Sequence, residues 1–321
     1  MGSMSIQTNL LRSPSWTGAG ALCVALLAIA CSSIFFVVAG REMSPNAIAL
    51  NRLAIAAIGF ALWNLLQVAQ NSDSAEALKL PVRSIDWILL TMAGTSFVSS
   101  MMLLAWAFTQ TSVAKASLFT HMLPIFTTLG AWIALKKRFN ARFLVGMTIA
   151  VTGTIAIGIN DFSGIDNSLL GDLAALGAAV CFAIEMLIVE QLRSRFATTI
   201  LTMSECAIGS VLALPTVLLS GGAIFPPSWK SGAAILGLAV LTQMLGHGLL
   251  VYSLKQFSAS LISVATLAIP IMSAILALIV FSETIGPFES AAFAIVLVGI
   301  YLSVSAPRSK DVETPSQTEL T

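Results

Sequence analysis

Residues 112–124 read SVAKASLFTHMLP, and residues 258–270 read SASLISVATLAIP. Both stretches follow the pattern S-x4-S-x2-T-x3-P, and the second begins 146 positions after the first (258 minus 112). At this offset the two halves of the chain align without gaps, and identical residues continue on both sides of the motif. A duplication on this scale in an apolar chain is typical of secondary transporters. The further identical pairs are Leu103/Leu249, Leu104/Leu250, Gln110/Gln256, Ile125/Ile271, Ala131/Ala277, Ile133/Ile279, Ile149/Ile295 and Gly153/Gly299.

The composition is that of a membrane protein. Hydrophobic residues make up 57% of the chain, charged residues make up 10%, and the mean hydropathy is +0.93. A water-soluble domain of this length would carry roughly 25% charged residues. The net charge is +1, and no basic run with interleaved aromatic residues occurs, so a nucleic-acid partner is not expected.

Apolar windows of about 20 residues predict ten membrane spans, five in each half of the chain. Because five is an odd number, the two halves must enter the membrane in opposite orientations. The predicted fold is therefore an all-α membrane protein with ten transmembrane helices in two inverted five-helix repeats, at residues 17–160 and 161–305. Residues 1–16 and 306–321 are predicted to be polar, disordered cytoplasmic tails. The ten windows lie at 17–39, 45–69, 85–107, 113–135, 141–160, 170–191, 199–220, 231–253, 258–281 and 285–305.

The distribution of Lys and Arg predicts the orientation, because these residues are enriched on the cytoplasmic side of membrane proteins. If the amino terminus is cytoplasmic, the outer segments hold only Arg41, Lys115 and Lys230, and Arg52 lies within a span. Both termini are therefore predicted to be cytoplasmic. The other twelve of the sixteen basic residues then fall on the cytoplasmic side: Arg12, Lys79, Arg83, Lys136, Lys137, Arg138, Arg142, Arg193, Arg195, Lys255, Arg308 and Lys310.

Each copy of the motif ends in a proline, Pro124 or Pro270, inside a predicted span. Proline lacks the backbone N–H and weakens the preceding helical turn, which allows a kink or a hinge. The equivalent positions of the two prolines favour a hinge that moves during transport. Static packing is the alternative, because proline is common in membrane helices.

A segment of the second half is similar to a known family. Residues 246–255 read GHGLLVYSLK, residues 258–270 hold the motif, and residues 281–283 read FSE. Together with Arg52 in the second span and an Ala-rich first span, this segment resembles the second repeat of EamA-type transporters of the drug/metabolite transporter superfamily. The resemblance implies a ten-helix transporter with two inverted repeats and a central site for small metabolites.

The chain departs from the family pattern at two positions. An acid usually ends each repeat; it is present as Glu283, but Lys137 stands at the matching place in the first half. Ser282 stands where glycine is usual. These departures argue against transferring the substrate of any one relative.

Ionisable residues inside the spans are the candidate functional residues, because burying them in hydrocarbon costs several kcal/mol unless they face a cavity or a partner. Glu185 lies in the middle of the sixth predicted span among apolar residues. In a cavity it could bind an amino group or take up a proton that drives transport. The structural alternative is a protonated Glu185 that is hydrogen-bonded to a neighbouring helix.

Two histidines are further candidates for substrate binding. His121 shares a helix face with Pro124 and Thr128, and His247 shares one with Gln243. A proton-coupling role is open, because histidine titrates near neutral pH. Each histidine could equally form a structural hydrogen bond between helices. Two histidines on separate helices are not a metal motif, so no metal is expected.

Trp106 and Tyr252 occupy equivalent positions in the two repeats, and each precedes a glutamine by four residues. The pair could gate the cavity or stack on a substrate. An interfacial aromatic belt is the alternative, because both lie near span ends.

Arg52 and Glu205 are expected to be structural. They fall in equivalent spans but on different sides of the predicted membrane, so a direct salt bridge is not expected. Arg52 is expected to bind backbone carbonyls or Glu42, and Glu205 is expected to pair with Arg193 or Arg195.

The sequence therefore predicts a plasma-membrane (bacterial inner-membrane) secondary transporter that moves a small polar or zwitterionic metabolite by alternating access. Export of an amino acid or related compound rests on the family resemblance. A broad exporter of drugs and toxic cations is the main alternative, and an intramembrane enzyme built on Glu185, His121 and His247 is a remote one. No phosphate-binding loop occurs, so no nucleotide or other cofactor is expected. The expected partners are the solute and the lipid bilayer, and the chain could be a monomer or a homodimer.

Overall fold

A computed structural model of the protein describes residues 16–70, 83–111, 113–159, 168–220, 223–281 and 286–307. Within these ranges all regular secondary structure is helical. We number the ten apolar segments span 1 to span 10. Their helices are Trp16–Ala30 and Ser32–Ala39 (span 1), Pro45–Gln70 (span 2), Ser84–Gln110 (span 3), Val113–Thr120 and Leu123–Leu135 (span 4), Ala141–Ile159 (span 5), Leu169–Leu192 (span 6), Thr198–Ser220 (span 7), Trp229–Gly237, the π-helix Leu238–His247 and Gly248–Ser253 (span 8), Ala259–Thr266 and Ile269–Phe281 (span 9), and Pro287–Val304 (span 10).

These helices confirm the predicted fold class. In the described part of the chain, nine segments are long and apolar enough to cross a membrane. Span 5 is the tenth apolar helix, although its apolar stretch Ala141–Ile157 is shorter than the others. The predicted windows match the observed spans, with ends that differ by a few residues. Glu283, Ser282 and most of the two predicted tails lie outside the described residues.

The packing of the spans follows the inverted repeat. Span 3 packs along span 6, and the equivalent span 8 packs along span 1. Span 4 also packs on span 6, as span 9 does on span 1. Spans 2 and 7, spans 4 and 9, and spans 5 and 10 each pack against their own equivalent. Each half therefore contributes its first span to the other half, and the two halves enclose a shared centre.

Polar contacts tie the spans together at both ends of the bundle. We call the end where span 1 begins and span 10 ends the terminal end, and the opposite one the far end. At the terminal end, Lys137 Nζ lies 2.6 Å from Glu190 Oε1, and Arg195 Nη1 donates to Asp86 Oδ1 at 3.0 Å. At the far end, the amide of Asn51 donates to the carbonyl of Ile224 at 2.6 Å. These contacts join span 4 to span 6, span 3 to the segment between spans 6 and 7, and span 2 to the segment before span 8.

Spans 5 and 10 cross at glycines. A Cβ atom on Gly299 would lie 2.3 Å from the backbone nitrogen of Ala150 and 2.6 Å from the carbonyl oxygen of Gly146. The seryl hydroxyl of Ser303 donates to the carbonyl of Phe143 at 3.3 Å in the same crossing. Lipid tails are as apolar as the side chains, so close backbone approach and interhelical hydrogen bonds hold membrane helices together. Small residues are therefore required where these two spans meet.

Substitution of Gly299 tests this crossing. We expect Gly299→Ala to destabilise the protein by about 1–3 kcal/mol, because the obstructing atoms belong to the backbone and cannot rotate away. Thermal unfolding of the detergent-solubilised protein measures the effect. Gly20→Ala is the matched control, since nothing lies within 4 Å of a Cβ at Gly20. Equal melting temperatures for the two variants would contradict the proposed close approach.

Candidate functional site

Four of the described spans interrupt their regular α-helical pattern near mid-length. Span 1 breaks at Cys31, span 4 breaks between Thr120 and Leu123, and span 9 breaks between Thr266 and Ile269. Span 8 changes to a π-helix over Leu238–His247. Irregular backbone at membrane depth is tolerated where it lines a cavity or is buried in protein, and π segments are frequent at functional sites.

The breaks in spans 4 and 9 are equivalent and follow from the repeated motif. Because proline has no N–H, neither Pro124 nor Pro270 can bond to the carbonyl four residues before it. The hydroxyl of Thr120 donates to the carbonyl of Ser117 at 2.7 Å, and the hydroxyl of Thr266 donates to the carbonyl of Ser263 at 2.7 Å. The second serine, the threonine and the proline of each motif thus belong to one local structure, in which the helix ends and then restarts.

The break in span 1 is stabilised by side chains. The carbonyl of Ala30 accepts hydrogen bonds from the hydroxyl of Ser33 at 2.9 Å and from the hydroxyl of Ser273 at 3.2 Å. Because Ser273 belongs to span 9, this contact couples the interrupted regions of two spans. It also satisfies a carbonyl that would otherwise be exposed within the bundle.

A cavity of about 300 Å³ lies where the four interruptions meet. Residues beside each interruption line it, including Ser32 of span 1, His121 of span 4, Gln243 of span 8 and Ile269 of span 9. Arg52 from span 2 also lines the wall. The cavity therefore lies between the two halves and receives residues from both.

Arg52 is the charged group of the described cavity wall. Its Nη2 donates to Oε1 of Gln243 at 2.6 Å, and its Nε has no hydrogen-bond partner in the described chain. The amide nitrogen of Gln243 lies 3.6 Å from Sγ of Cys206. Gln243 is fully buried and Arg52 is half-buried. Gln243 therefore holds one nitrogen of the guanidinium group, while the side chain stays partly exposed at the cavity wall.

A second group of polar side chains lies beside the cavity. We call Glu185, Glu205 and His247, from spans 6, 7 and 8, the Glu–Glu–His cluster. Nε2 of His247 lies 3.0 Å from Oε2 of Glu205 and 4.0 Å from Oε1 of Glu185. Both glutamates are fully buried, and His247 is 4% exposed and lines the cavity. The ring of Phe97 stacks on His247 with centroids 4.6 Å apart.

His121 is fixed at the break of span 4. Its Nδ1 contacts the carbonyl of Ser117 one turn earlier. A carbonyl can only accept, so Nδ1 carries the proton and Nε2 is left as the acceptor of the neutral ring. The side chain is half-buried and lines the cavity.

The terminal end of the bundle closes below this cavity. The hydroxyls of Thr127 and Ser263 lie 2.6 Å apart, and the hydroxyl of Ser260 donates to the carbonyl of Thr127 at 3.4 Å. Apolar side chains from both halves, including Leu123 and Ile262, fill the surrounding core. Spans 4 and 9 therefore meet directly on the terminal-end side of their breaks.

The structure brings together only part of the predicted site. His121, His247 and Gln243 line the cavity, and Glu185 lies directly behind His247. Trp106 and Tyr252 do not line it and are 45% and 39% exposed. Their exposure near span ends agrees with the interfacial-belt alternative.

Two expected ion pairs are wrong. Arg52 binds Gln243 rather than Glu42, and Glu42 instead accepts a hydrogen bond from the hydroxyl of Ser228 at 2.6 Å. The hydrogen bond from Ser228 is the main reason that the pKa of the Glu42 carboxyl lies below its ordinary value. Glu205 contacts His247, because spans 7 and 8 place the two side chains together at mid-depth.

The arginines expected to pair with Glu205 have other partners. Arg193 donates to the carbonyls of Val251 and Phe196, and Arg195 binds Asp86 at the terminal end. Both arginines follow the end of span 6, whereas Glu205 lies two turns inside span 7. Hence the predicted pairing placed Glu205 too close to the membrane surface.

Both halves of the chain match the sequence pattern of the same protein family. The EamA-like transporter family matches residues 16–159 and again residues 169–305. The chain belongs to the EamA-like transporter family. The double match agrees with the two five-helix repeats, and the protein is therefore a multi-pass membrane protein of a transporter family.

Individual relatives are also transporters by name. An uncharacterized transporter of Archaeoglobus fulgidus is 24% identical over 292 residues, which cover 88% of this chain and 96% of the relative. Human solute carrier family 35 member G1 is 31% identical over 115 residues, which cover 33% of this chain and 32% of the relative. A crystal structure that is 17% identical aligns with a TM-score of 0.77 over 92% of this chain and 100% of its own, which supports the fold.

The contact between Arg52 and Gln243 can be tested by a double-mutant cycle. We expect Gln243→Leu to lower the free energy of unfolding by about 1–3 kcal/mol, because the guanidinium group of Arg52 loses its side-chain partner. Adding Arg52→Met should cost less in the Gln243→Leu background than in the wild type, since the unpaired charge is then removed.

Thermal or denaturant unfolding of the four proteins measures the coupling. The exposed contact of Arg142 with Ser305, at 2.8 Å, serves as the control pair, and its coupling should stay within about 0.5 kcal/mol. Additive effects of Arg52→Met and Gln243→Leu would show that the two side chains do not depend on each other.

Proposed function

We propose that the protein is a secondary transporter that moves a small polar or zwitterionic metabolite, an amino acid or related compound, by alternating access. The observation that carries this proposal is the coincidence of four interrupted spans with one central cavity. In inverted-repeat transporters, discontinuous helices near the membrane midplane form the substrate site between the halves. A cavity of about 300 Å³ is at the lower end of the range for small-molecule sites, about 300–1,000 Å³.

Arg52 is the proposed anchor for a carboxylate of the solute. A guanidinium group can donate two parallel hydrogen bonds to a carboxylate, and the partly exposed Arg52 side chain lines the cavity. Its Nε is buried and has no partner among the described residues, so the group has unused donor capacity. His121 and Gln243 supply further polar contacts, and Phe97 and Phe182, 6.4 Å apart, supply an apolar wall. A zwitterion with an apolar side chain is compatible with this arrangement.

Arg52 favours a carboxylate-bearing solute over a toxic cation, because a cation bound beside the guanidinium group would be repelled by it. The enzyme alternative is also disfavoured. It requires Glu185, His121 and His247 to act on one substrate, but His121 lies apart from the Glu–Glu–His cluster. The proposal therefore assigns binding roles to His121, Gln243 and Arg52, and no catalytic role.

We propose that both termini are cytoplasmic, that the membrane is the plasma membrane, and that export is driven by protons. The basic residues of the terminal end support this orientation, among them Lys137, Arg142 and Arg195. The Glu–Glu–His cluster supports proton coupling, because it places titratable groups beside the cavity. Pro124 and Pro270 are the proposed hinges, since both follow equivalent helix breaks.

A ligand panel tests the substrate class. The purified protein is heated in the presence of amino acids, polyamines, nucleosides, sugar phosphates and cationic drugs. A solute at 100 times its Kd stabilises the folded state by about 2.7 kcal/mol. We expect a rise in melting temperature with one class of carboxylate-bearing solute. Small scattered rises with unrelated cations would favour the drug exporter.

Variants of Arg52 test the anchor. We expect Arg52→Gln to weaken binding of the stabilising solute about 10- to 100-fold, since hydrogen bonds to a charged group contribute about 1.5–3 kcal/mol. Arg41→Gln is the control, because Arg41 is exposed outside the spans. Counterflow in proteoliposomes then distinguishes transport from binding. Unchanged affinity in Arg52→Gln would contradict the carboxylate anchor.

A further inference from the structure

The Glu–Glu–His cluster places two carboxyl groups and one imidazole where water is excluded. One atom from each residue lies within 4.8 Å of the other two. Both side-chain oxygens of Glu185 and Oε1 of Glu205 have no hydrogen-bond partner among the described residues. Two neighbouring carboxylates in a low-dielectric interior cannot both stay ionised without a compensating positive charge. The cluster therefore needs a bound proton or another positive charge to offset the second carboxylate.

The neighbouring titratable groups decide whether the protein itself offsets the charge of the second carboxylate. Arg52 on span 2 reaches Gln243, and the thiol of Cys206 on span 7 lies next to the same amide. The other titratable groups on the spans packed around the cluster are Cys23 and Cys31 on span 1, Asp86 on span 3, Lys115 and His121 on span 4, Asp172, Cys181 and Glu190 on span 6, and Lys230 and Tyr252 on span 8. None of these forms a hydrogen bond to Glu185 or Glu205 in the described chain. Arg52 contacts Gln243 and neither carboxylate, so the imidazole of His247 is the only basic group that contacts the two glutamates in the described chain.

We propose that the Glu–Glu–His cluster binds and releases the proton that drives transport, an assignment that rests on the proposed function. One proton from the cavity is taken up by His247, which lines the wall. It passes to a carboxylate oxygen of Glu205 or Glu185, and the imidazole returns to its neutral form. Only N–H and O–H bonds form and break. The loaded cluster, with one proton shared among two carboxyl groups and a neutral imidazole, carries one negative charge instead of two.

The π segment links this proton site to the solute site. Gln243 and His247 lie four residues apart in span 8, and Gln243 holds Arg52 while His247 holds Glu205. The two contacts therefore belong to one short piece of irregular helix. A displacement of this piece changes the surroundings of Arg52 and of the cluster together, which is the requirement for coupling two ligands.

A measurement without any solute tests the proton site. The melting temperature of the detergent-solubilised protein is recorded between about pH 5 and pH 8. As the pH rises, the glutamates of the unfolded chain are ionised, whereas the folded cluster must either keep a proton or hold two negative charges. Folding therefore becomes less favourable as the pH rises. We expect the stability of the wild type to fall by several degrees more than that of Glu185→Gln, which cannot ionise.

Two variants make this comparison decisive. Glu190→Gln carries the same change on the same span, but Glu190 pairs with Lys137 outside the cluster, so it should keep the wild-type slope. Glu205→Gln should flatten the slope as Glu185→Gln does, and it replaces that variant if Glu185→Gln does not fold. Parallel curves for the wild type and both cluster variants would overturn the proposal. So would stabilisation by Zn²⁺ that Glu185→Gln abolishes, since the cluster would then be a metal site.

A second measurement connects the site with transport. Proteoliposomes are loaded with a pH-sensitive dye, and the carboxylate-bearing solute that stabilises the protein is added outside. We expect the wild type to change the internal pH, and Glu185→Gln to bind the solute and exchange it without moving protons. Solute transport by the wild type with no change in pH would overturn proton coupling. If no solute binds, the proposed function fails, while the pH dependence of stability still decides whether the cluster holds a proton.

Discussion

The structure depends on the rule that backbone N–H and carbonyl groups inside a membrane must find partners within the protein. Regular helices meet this rule by themselves, and most of the described spans are regular. The exceptions are spans 1, 4, 8 and 9, and all four interruptions face one cavity. Hydroxyl groups supply the missing partners there, as Ser33 and Ser273 do for the carbonyl of Ala30. The cavity is therefore the place where the chain can change shape without exposing its backbone to lipid.

Buried charge is the second feature that distinguishes this centre. Arg52 faces the cavity and is held by Gln243, while Glu185 and Glu205 lie behind His247. Each charge would be costly in hydrocarbon alone. Gln243 and His247, four residues apart in span 8, contact Arg52 and Glu205. In the proposed function, this short segment couples a solute at Arg52 to a proton on the cluster without direct contact between the two ligands.

The sequence predicted the bundle well, because the fold is recorded in features that need no tertiary information. Apolar windows located the spans, and the repeated motif ending in Pro124 and Pro270 gave the inverted halves. The site was predictable only in part. The π-helix of span 8 and the break at Cys31 carry no proline signal, and the stacking of Phe97 on His247 depends on how span 3 packs. The predicted pairing of Glu205 with Arg193 or Arg195 is wrong, because the depth of Glu205 relative to spans 6 and 8 cannot be read from the sequence of span 7 alone.

Alternating access around this cavity is tested most directly by measuring whether a cavity residue can be labelled from each face of the membrane. The four native cysteines, Cys23, Cys31, Cys181 and Cys206, are replaced, and Ser100 in the cavity wall is changed to cysteine. A membrane-impermeant thiol reagent is then applied to each face in separate preparations of known orientation. We expect Ser100→Cys to be labelled from both faces. When Thr127→Cys and Ser263→Cys are added and cross-linked, labelling from the terminal end should be lost. Labelling of Ser100→Cys from one face only would contradict alternating access.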